Sequence, residues 1–309
     1  MDFKQLKYFT EIADFGNMTR AAESLFIAQP ALTQQIANLE AELGTRVFDR
    51  STQGVRLTSA GDVLYRHARS LLKQMDDAKA AVIDESDHPS GRVTIGIPGS
   101  TGKMLAVPLL KAMSAHERIL LEFVERPSAE LMTLVSRGRL DVAVVVDAVP
   151  CRGVALTRLL MEDLYVIRPA GEVASGRPIT LKALAAQPLV LPTAPSTIRQ
   201  RVDTAFMQFG LRYRLVGEVS ATDMLVRLVS AGLGLTVLPW AAVAEEVQQG
   251  TVDALQLARH RLRRELAICV SDAVPLNRAA DVVRASVIDI VCGLVNSGAW
   301  RGVYRVGPA

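Results

Sequence analysis

Gln29, Pro30, Thr33 and Gln34 are side chains of the kinds that read base-pair edges. A Gln amide can accept from the adenine N6 amino group through its oxygen and donate to N7 through its nitrogen together, and a Thr methyl can rest on a thymine methyl. Arg46, Arg50 and Arg56 follow in the chain. Guanidinium groups so placed would grip phosphates or enter an adjacent minor groove, which fixes register and carries little sequence information. A second set is made of hydroxyls. Ser100 and Thr101, Ser128 and Ser196 stand where a strand gives way to a helix, and Thr222 opens the helix that runs to Ala231. Beside the unpaired N–H groups of a helix start, such hydroxyls would suit a small anion, a carboxylate for example, without a fixed opposing charge. Plainer readings stand beside both sets: a solvated helix face, and Ser and Thr as ordinary helix caps.

The first set needs a helix that projects one face into a groove. Leu32, Ile36, Leu39 and Leu43 recur at spacings of four, three and four, which makes one apolar stripe and leaves Pro30, Thr33, Gln34, Ala37 and Asn38 opposite it. A shorter helical segment, Thr19 to Leu25, precedes this one, and Phe9 and Ala13 mark a helix before that. Gly44 stops the long helix, and Arg46-Val47-Phe48-Asp49-Arg50 leads through Ser51-Thr52-Gln53-Gly54 into Val55-Arg56-Leu57, a two-stranded hairpin. That order predicts a winged helix-turn-helix over residues 1–58. The hairpin taken alone would equally serve as a solubilising surface. Bulk charge does not argue for nucleic acid, since residues 1–58 hold six basic and seven acidic side chains, a net of minus one. Each monomer should therefore bind DNA weakly unless several units act together.

A way to act together follows at residues 59–89. Ser59 with Asp62 predicts a capping box, and Leu64, Ala68, Leu71, Met75, Ala78 and Val82 alternate spacings of four and three, the seam of a coiled coil. A helix packed on its own chain's core would show much the same pattern. Asp87-His88-Pro89-Ser90-Gly91 breaks it before a strand.

The helix-turn-helix, the Gln29-Pro30-Ala31-Leu32 start, the Leu43-Gly44 stop, the Phe48-Asp49-Arg50 turn and the Leu57-Thr58-Ser59-Ala60-Gly61 close occur in one frame, and in this the chain resembles LysR-type transcriptional regulators. The likeness is strong in the N-terminal quarter and continues as a weaker pattern over the whole length. Ile27 to Leu32 and Tyr65 to Arg69 look most similar to the branch that includes nitrogen-assimilation regulators. The resemblance implies a homodimer or homotetramer on double-stranded promoter DNA, a small-molecule effector, RNA polymerase as a protein partner, and no cofactor. The chain also departs from the family pattern. Ala28 stands where Ser often caps the recognition helix, a loss of roughly 1 kcal/mol. Gln34 and Gln53 stand where basic residues are common, so fewer cations would face the DNA.

With 309 residues, 50% of them hydrophobic, the chain can bury a sizeable core and should hold two or three domains. No apolar run is long enough to span a membrane, and Lys4, Lys7, Glu11 and Asp14 interrupt the start, so the expected location is cytoplasmic. Cys151, Cys269 and Cys292 lack paired spacing, and His67, His88, His116 and His260 are scattered, which predicts buried free thiols and no metal site.

Residues 90–309 alternate strands with helices. Strands are expected at 92–97, 119–124, 140–146, 189–192, 234–239 and 266–271, and helices at 105–114, 129–137 and 278–295. This is an α/β domain with largely parallel pairing. The resemblance implies two Rossmann-like lobes, as in periplasmic solute-binding proteins: lobe I over 90–162 and 267–309, lobe II over 163–266. A cleft between lobes is the default ligand site. Gly99 and Gly102 do not make a phosphate loop, and no nucleophile elbow or Ser/His/Asp arrangement appears, so an enzyme is not indicated. Without its first 88 residues the chain would read as a solute-binding module with no transcriptional output.

Overall fold

A computed structural model of the chain describes every residue except 52–53, 84–88, 172–176, 260, 274 and 306–309, and the side chains at 77, 79–83 and 305. Thr52 and Gln53 of the expected hairpin, Asp87 and His88 of the expected breaker, His260, and the side chain of Val82 lie outside the described residues.

Helix α1 (Phe3–Phe15) opens on a capping box: Asp2 accepts from the Gln5 N–H at 2.7 Å, and the Gln5 side chain accepts from the Asp2 N–H at 3.0 Å. Asn17 caps α2 (Met18–Ser24). Helix α3 (Gln29–Leu43) buries Leu32, Ile36 and Leu39 completely against Phe9, Ile12 and Ala21, while Leu43, at its last turn, stays 38% exposed. Strands β1 (Phe48–Ser51) and β2 (Gly54–Leu57) pair antiparallel as the wing.

Helix α4 (Ser59–Ile83) starts differently from expectation. The capping hydroxyl belongs to Thr58, whose Oγ1 accepts from the Gly61 N–H at 3.0 Å; Ser59 is already inside the helix and makes no box with Asp62. Gly61 is required, since a Cβ there would collide with the Val47 carbonyl. The expected seam is also divided. Ala68 has no exposure and packs with Tyr65 in the N-terminal core, joined by the half-buried Leu64 and Leu72. Leu71, 40% exposed, and Ala78 face away from it. One helix carries two apolar lines, and α1 takes the line that includes Ala68.

The remainder is laid down as β3 (Gly91–Ile97), α5 (Gly99–Met113), β4 (Ile119–Glu125), α6 (Ser128–Ser136), β5 (Val142–Val146), β6 (Val154–Pro169), α7 (Leu181–Ala185), β7 (Pro188–Pro192), α8 (Thr197–Gln208), β8 (Arg214–Val219), α9 (Thr222–Ser230), β9 (Thr236–Pro239), α10 (Ala244–Gln248), β10 (Val252–Leu255), β11 (Arg263–Ser271), α11 (Arg278–Asn296) and β12 (Val303–Arg305). The main sheet runs β10-β6-β11-β5-β3-β4, with β9 and β12 also on β6, and β7 pairs β8 separately. Pairing is parallel for β3 with β4 and β5 and for β7 with β8. Where β11 meets β5 and β6 it is antiparallel, which departs from a largely parallel sheet. The cause is topological: the chain crosses between lobes twice, in opposite directions, and the two long crossing strands lie side by side. Helix α5 begins six residues before the expected Leu105, because Gly99-Ser100-Thr101-Gly102 carries no apolar period to announce it. Cys269 is a buried free thiol as expected, whereas Cys151 is exposed before β6. No helix among the described residues is long and apolar enough to cross a membrane, and none of them group into a metal site.

Candidate DNA-binding face and interlobe cleft

On α3, Gln29, Pro30 and Gln34 are exposed and Thr33 is half-buried. The Thr33 hydroxyl donates to the Gln29 carbonyl and accepts from Gln29 Nε2, both at 3.0 Å, while Gln34 Nε2 donates to Asn38 Oδ1 at 2.9 Å. These bonds hold the amides in place and leave the Thr33 methyl uncommitted. Glu40 fastens the wing to this helix, accepting from the Val47 and Phe48 N–H groups through Oε1 and from Arg50 through Oε2 at 3.3 Å. Arg50 must therefore leave or share Glu40 to meet a phosphate. Arg56 is exposed and forms no ion pair among the described residues. A depression of about 400 Å³ separates α2, α3 and the wing, lined by Asn17, Thr19, Gln29, Thr33 and Arg50.

The second site is a cleft of about 500 Å³ between the lobes, lined by Ser100, Ser128, Ser196 and Thr222. Four of the five hydroxyl residues named from the sequence thus come together. Thr101 does not: it is fully buried, its Oγ1 has no partner, and it is absent from the lining. Successive residues of a helix point about 100° apart, and at this start Ser100 takes the cleft side while Thr101 turns into the core. The Ser100 hydroxyl accepts from Arg264 Nη2 at 3.0 Å, and Ser128 Oγ accepts from the Val146 N–H at 2.9 Å. Ser196 stands at the cap position of α8 yet makes no capping bond.

The N-termini of α5, α6, α8 and α9 all open on this cleft, and none has a side-chain cap. Elsewhere Asp2, Asn17, Thr180 and Asn277 cap α1, α2, α7 and α11, while the five-residue α10 also lacks a side-chain cap. Helix α3, aimed outward from the N-terminal domain, is uncapped like the cleft helices. First-turn N–H groups left without side-chain acceptors carry positive partial charge and favour anions.

Sequence reasoning missed the charged groups of the cleft. Arg264, on β11, lines its floor and is paired with Glu162 of β6 at 2.6 Å, both side chains all but buried; Trp300 Nε1 donates to the other Glu162 oxygen at 3.2 Å. A fixed cation is present after all, already neutralised by its partner. Glu125 closes over the α5 N-terminus, since a side chain at Gly99 would run into its carboxylate and pass beside Thr222 Oγ1. A neighbouring hollow of about 730 Å³ is lined by apolar Met132, Val149 and Leu262 together with Asp147 and Arg201. Arg201 Nε meets Asp147 Oδ2 at 3.0 Å, and Lys103 pairs with Glu246 and, at 3.4 Å, with Asp223. These pairs tie α5 and the residue after β5 in one lobe to α8, α9 and α10 of the other.

Helix α6 and the segment after it link the cleft to α1 and α4. Its first residue, Ser128, lines the cleft; the turn after its last residue meets the DNA-binding region. Arg137 reaches Asp62 at 3.6 Å, Arg139 reaches Asp14 of α1 at 3.6 Å, and Asp141 pairs with Lys73 of α4. Asp14 also accepts from the Tyr65 hydroxyl and sits 3.6 Å from Arg69. Burial, reinforced by the Asp14 carboxylate, raises the Tyr65 hydroxyl far above the usual phenol range.

Residues 3–62 match the family of bacterial regulatory helix-turn-helix proteins, lysR family, and residues 86–290 match the LysR substrate binding domain. The chain is 39% identical over 244 residues to the nitrogen assimilation regulatory protein nac of Escherichia coli (strain K12), covering 78% of this chain and 79% of the relative. It is 32% identical over 293 residues to the protein of the same name from Klebsiella aerogenes, covering 94% and 95%. Among solved structures, a full-length OxyR variant from Pseudomonas aeruginosa superposes with a TM-score of 0.75 at 23% identity over 100% of this chain and 99% of that one. Full-length CbnR complexed with target DNA gives 0.62 at 22% identity, over 95% and 99%. These structures share the fold.

Proposed function

Because the chain belongs to the LysR family of transcriptional regulators, near the nitrogen assimilation regulators, we propose that it is a cytoplasmic regulator whose grip on promoter DNA is set by a small molecule between its lobes. Gln29, Pro30, Thr33 and Gln34 read bases or adjacent phosphates, and Arg50 and Arg56 hold the backbone. Ser100, Ser128, Ser196 and Thr222 bind the effector, whose carboxylate would meet uncapped helix starts. Glu125 at the rim favours a hydrogen-bond donor or cationic group on the same molecule. Leu71 and Ala78 supply the exposed line along which two α4 helices pair, and two such dimers make the tetramer. RNA polymerase is the proposed protein partner of the DNA-bound assembly, on the strength of family membership.

Helix α6 is the observation that carries this reading. An effector that moves Ser128 moves a nine-residue helix, and the segment that follows it pairs with Asp14 of α1 and with Asp62 and Lys73 of α4. Effector binding thereby biases the angle between recognition helices, provided that it binds one arrangement better than the other. The test is a footprint on DNA immediately upstream of its own gene, with and without a pool of small carboxylic metabolites. Two separated protected regions that shift with the pool are expected. Protection that ignores the pool would refute effector control and leave DNA binding standing; no protection would return the chain to a solute-binding role.

A further inference from the structure

Phe26 lies in the turn between α2 and α3 and is 95% exposed, more than any other large apolar residue described. Its φ is +54°, a conformation that disfavours a residue with a β carbon. The turn demands that conformation: the Phe26 N–H donates to the Glu23 carbonyl and the Ile27 N–H to the Ala22 carbonyl, both at 3.1 Å, which closes α2 around a left-handed residue. Gly or Asn is the ordinary choice there. Folding gains nothing from the phenyl ring, which leaves the core and carries a backbone penalty. Phe26 stands instead three residues ahead of Gln29, in the turn that leads into α3.

Resting on the DNA-binding reading of α3, we infer that Phe26 is a further DNA-contacting residue, its ring lying on apolar surface at the groove edge, a thymine methyl or a deoxyribose. Two observations point to DNA as the occupant. Phe26 precedes by three residues an uncapped helix start whose Gln29 and Gln34 are exposed, a surface otherwise suited to nucleic acid. The domain also has a net charge of minus one, so phosphate attraction needs support from contacts that salt does not screen. A Phe ring meeting a thymine methyl is a known mode of base contact.

The experiment compares wild type, Phe26→Gly and Phe26→Asn in the full chain for thermal midpoint, mass in solution and affinity for the upstream fragment across a salt series. Both variants should melt at or above the wild-type midpoint and keep its mass. Both should bind the fragment more weakly, by about tenfold for a ring half-buried on the duplex, with an unchanged slope of log affinity against log salt. Replacing thymine by uracil in the fragment separates the two surfaces: a methyl contact weakens wild type and spares Phe26→Gly, whereas a sugar contact leaves the variant weaker on both DNAs. Unaltered affinity in both variants would overturn the inference, as would a fall in mass that accounts for the loss. Wild type that fails to bind the fragment would count against the DNA-binding reading itself.

Discussion

Glu162→Gln removes one charge from the buried pair at the base of the cleft. Arg264 would then be a cation 2% exposed with only Ser100 as a described acceptor besides the new amide. Breaking one side of such a pair costs roughly 3–5 kcal/mol. Gln keeps an acceptor for the Trp300 N–H, so the lower end applies, about 3 kcal/mol. In a domain of some 200 residues each kcal/mol moves the midpoint by about 2–4 °C, which predicts a fall of roughly 6–12 °C. Combining Glu162→Gln with Arg264→Met removes both charges and should restore most of that loss, giving a coupling of about 2 kcal/mol or more. Differential scanning calorimetry of the four proteins measures this cycle. A single variant within about 1 kcal/mol of wild type, or costs that simply add, would show that the pair is solvated and that the reasoning from burial is wrong.

Arg56→Ala should weaken specific and random DNA alike and reduce the salt slope by about 0.9 if it meets one phosphate. Thr33→Ala should lose discrimination between them, and an equal loss on both DNAs would end its base-reading role. Leu71→Asp should lower the solution mass seen by light scattering; an unchanged mass rejects the exposed line of α4 as the dimer seam. Burial pushes the Cys269 thiol up to about 12, against about 8.5 when unfolded. Its contribution to stability is complete below the unfolded value and is lost as pH rises from about 8.5 toward the folded value. Cys269→Ala should flatten that decline, and a wild-type denaturation midpoint level across the range would contradict it.

Local order made the N-terminal domain legible. Leu32, Ile36 and Leu39 repeat at helical spacing, Gly44 takes φ +65° where the helix stops, and the wing follows at once. Cleft hydroxyls were visible for a similar reason, as small polar residues at strand-to-helix junctions. Arg264 and Glu162 were not, because they stand 102 residues apart and meet only through the register of β6 and β11. In sequence Arg264 belongs to a basic run from Arg259 and reads as solvated charge. The same holds for Asp14 and Arg139, joined by the docking of one domain on another. Ala68 was assigned to the wrong partner because a seven-residue repeat states that a helix face is covered but not by which chain.

The bare helix starts have a thermodynamic corollary. A helix that lacks its cap forgoes about 1 kcal/mol of native stability, and five such helices point at the two surfaces where charged partners arrive. The deficit belongs to the polypeptide itself. Any species that completes those hydrogen bonds in the native state alone raises the unfolding free energy by RT ln(1 + [L]/Kd). Melting behaviour should therefore depend on the dissolved anions present, phosphate or sulfate included. In a cell the regulator's lifetime would follow the same occupancy, so a molecule filled by metabolite and seated on its promoter would outlast one that is neither.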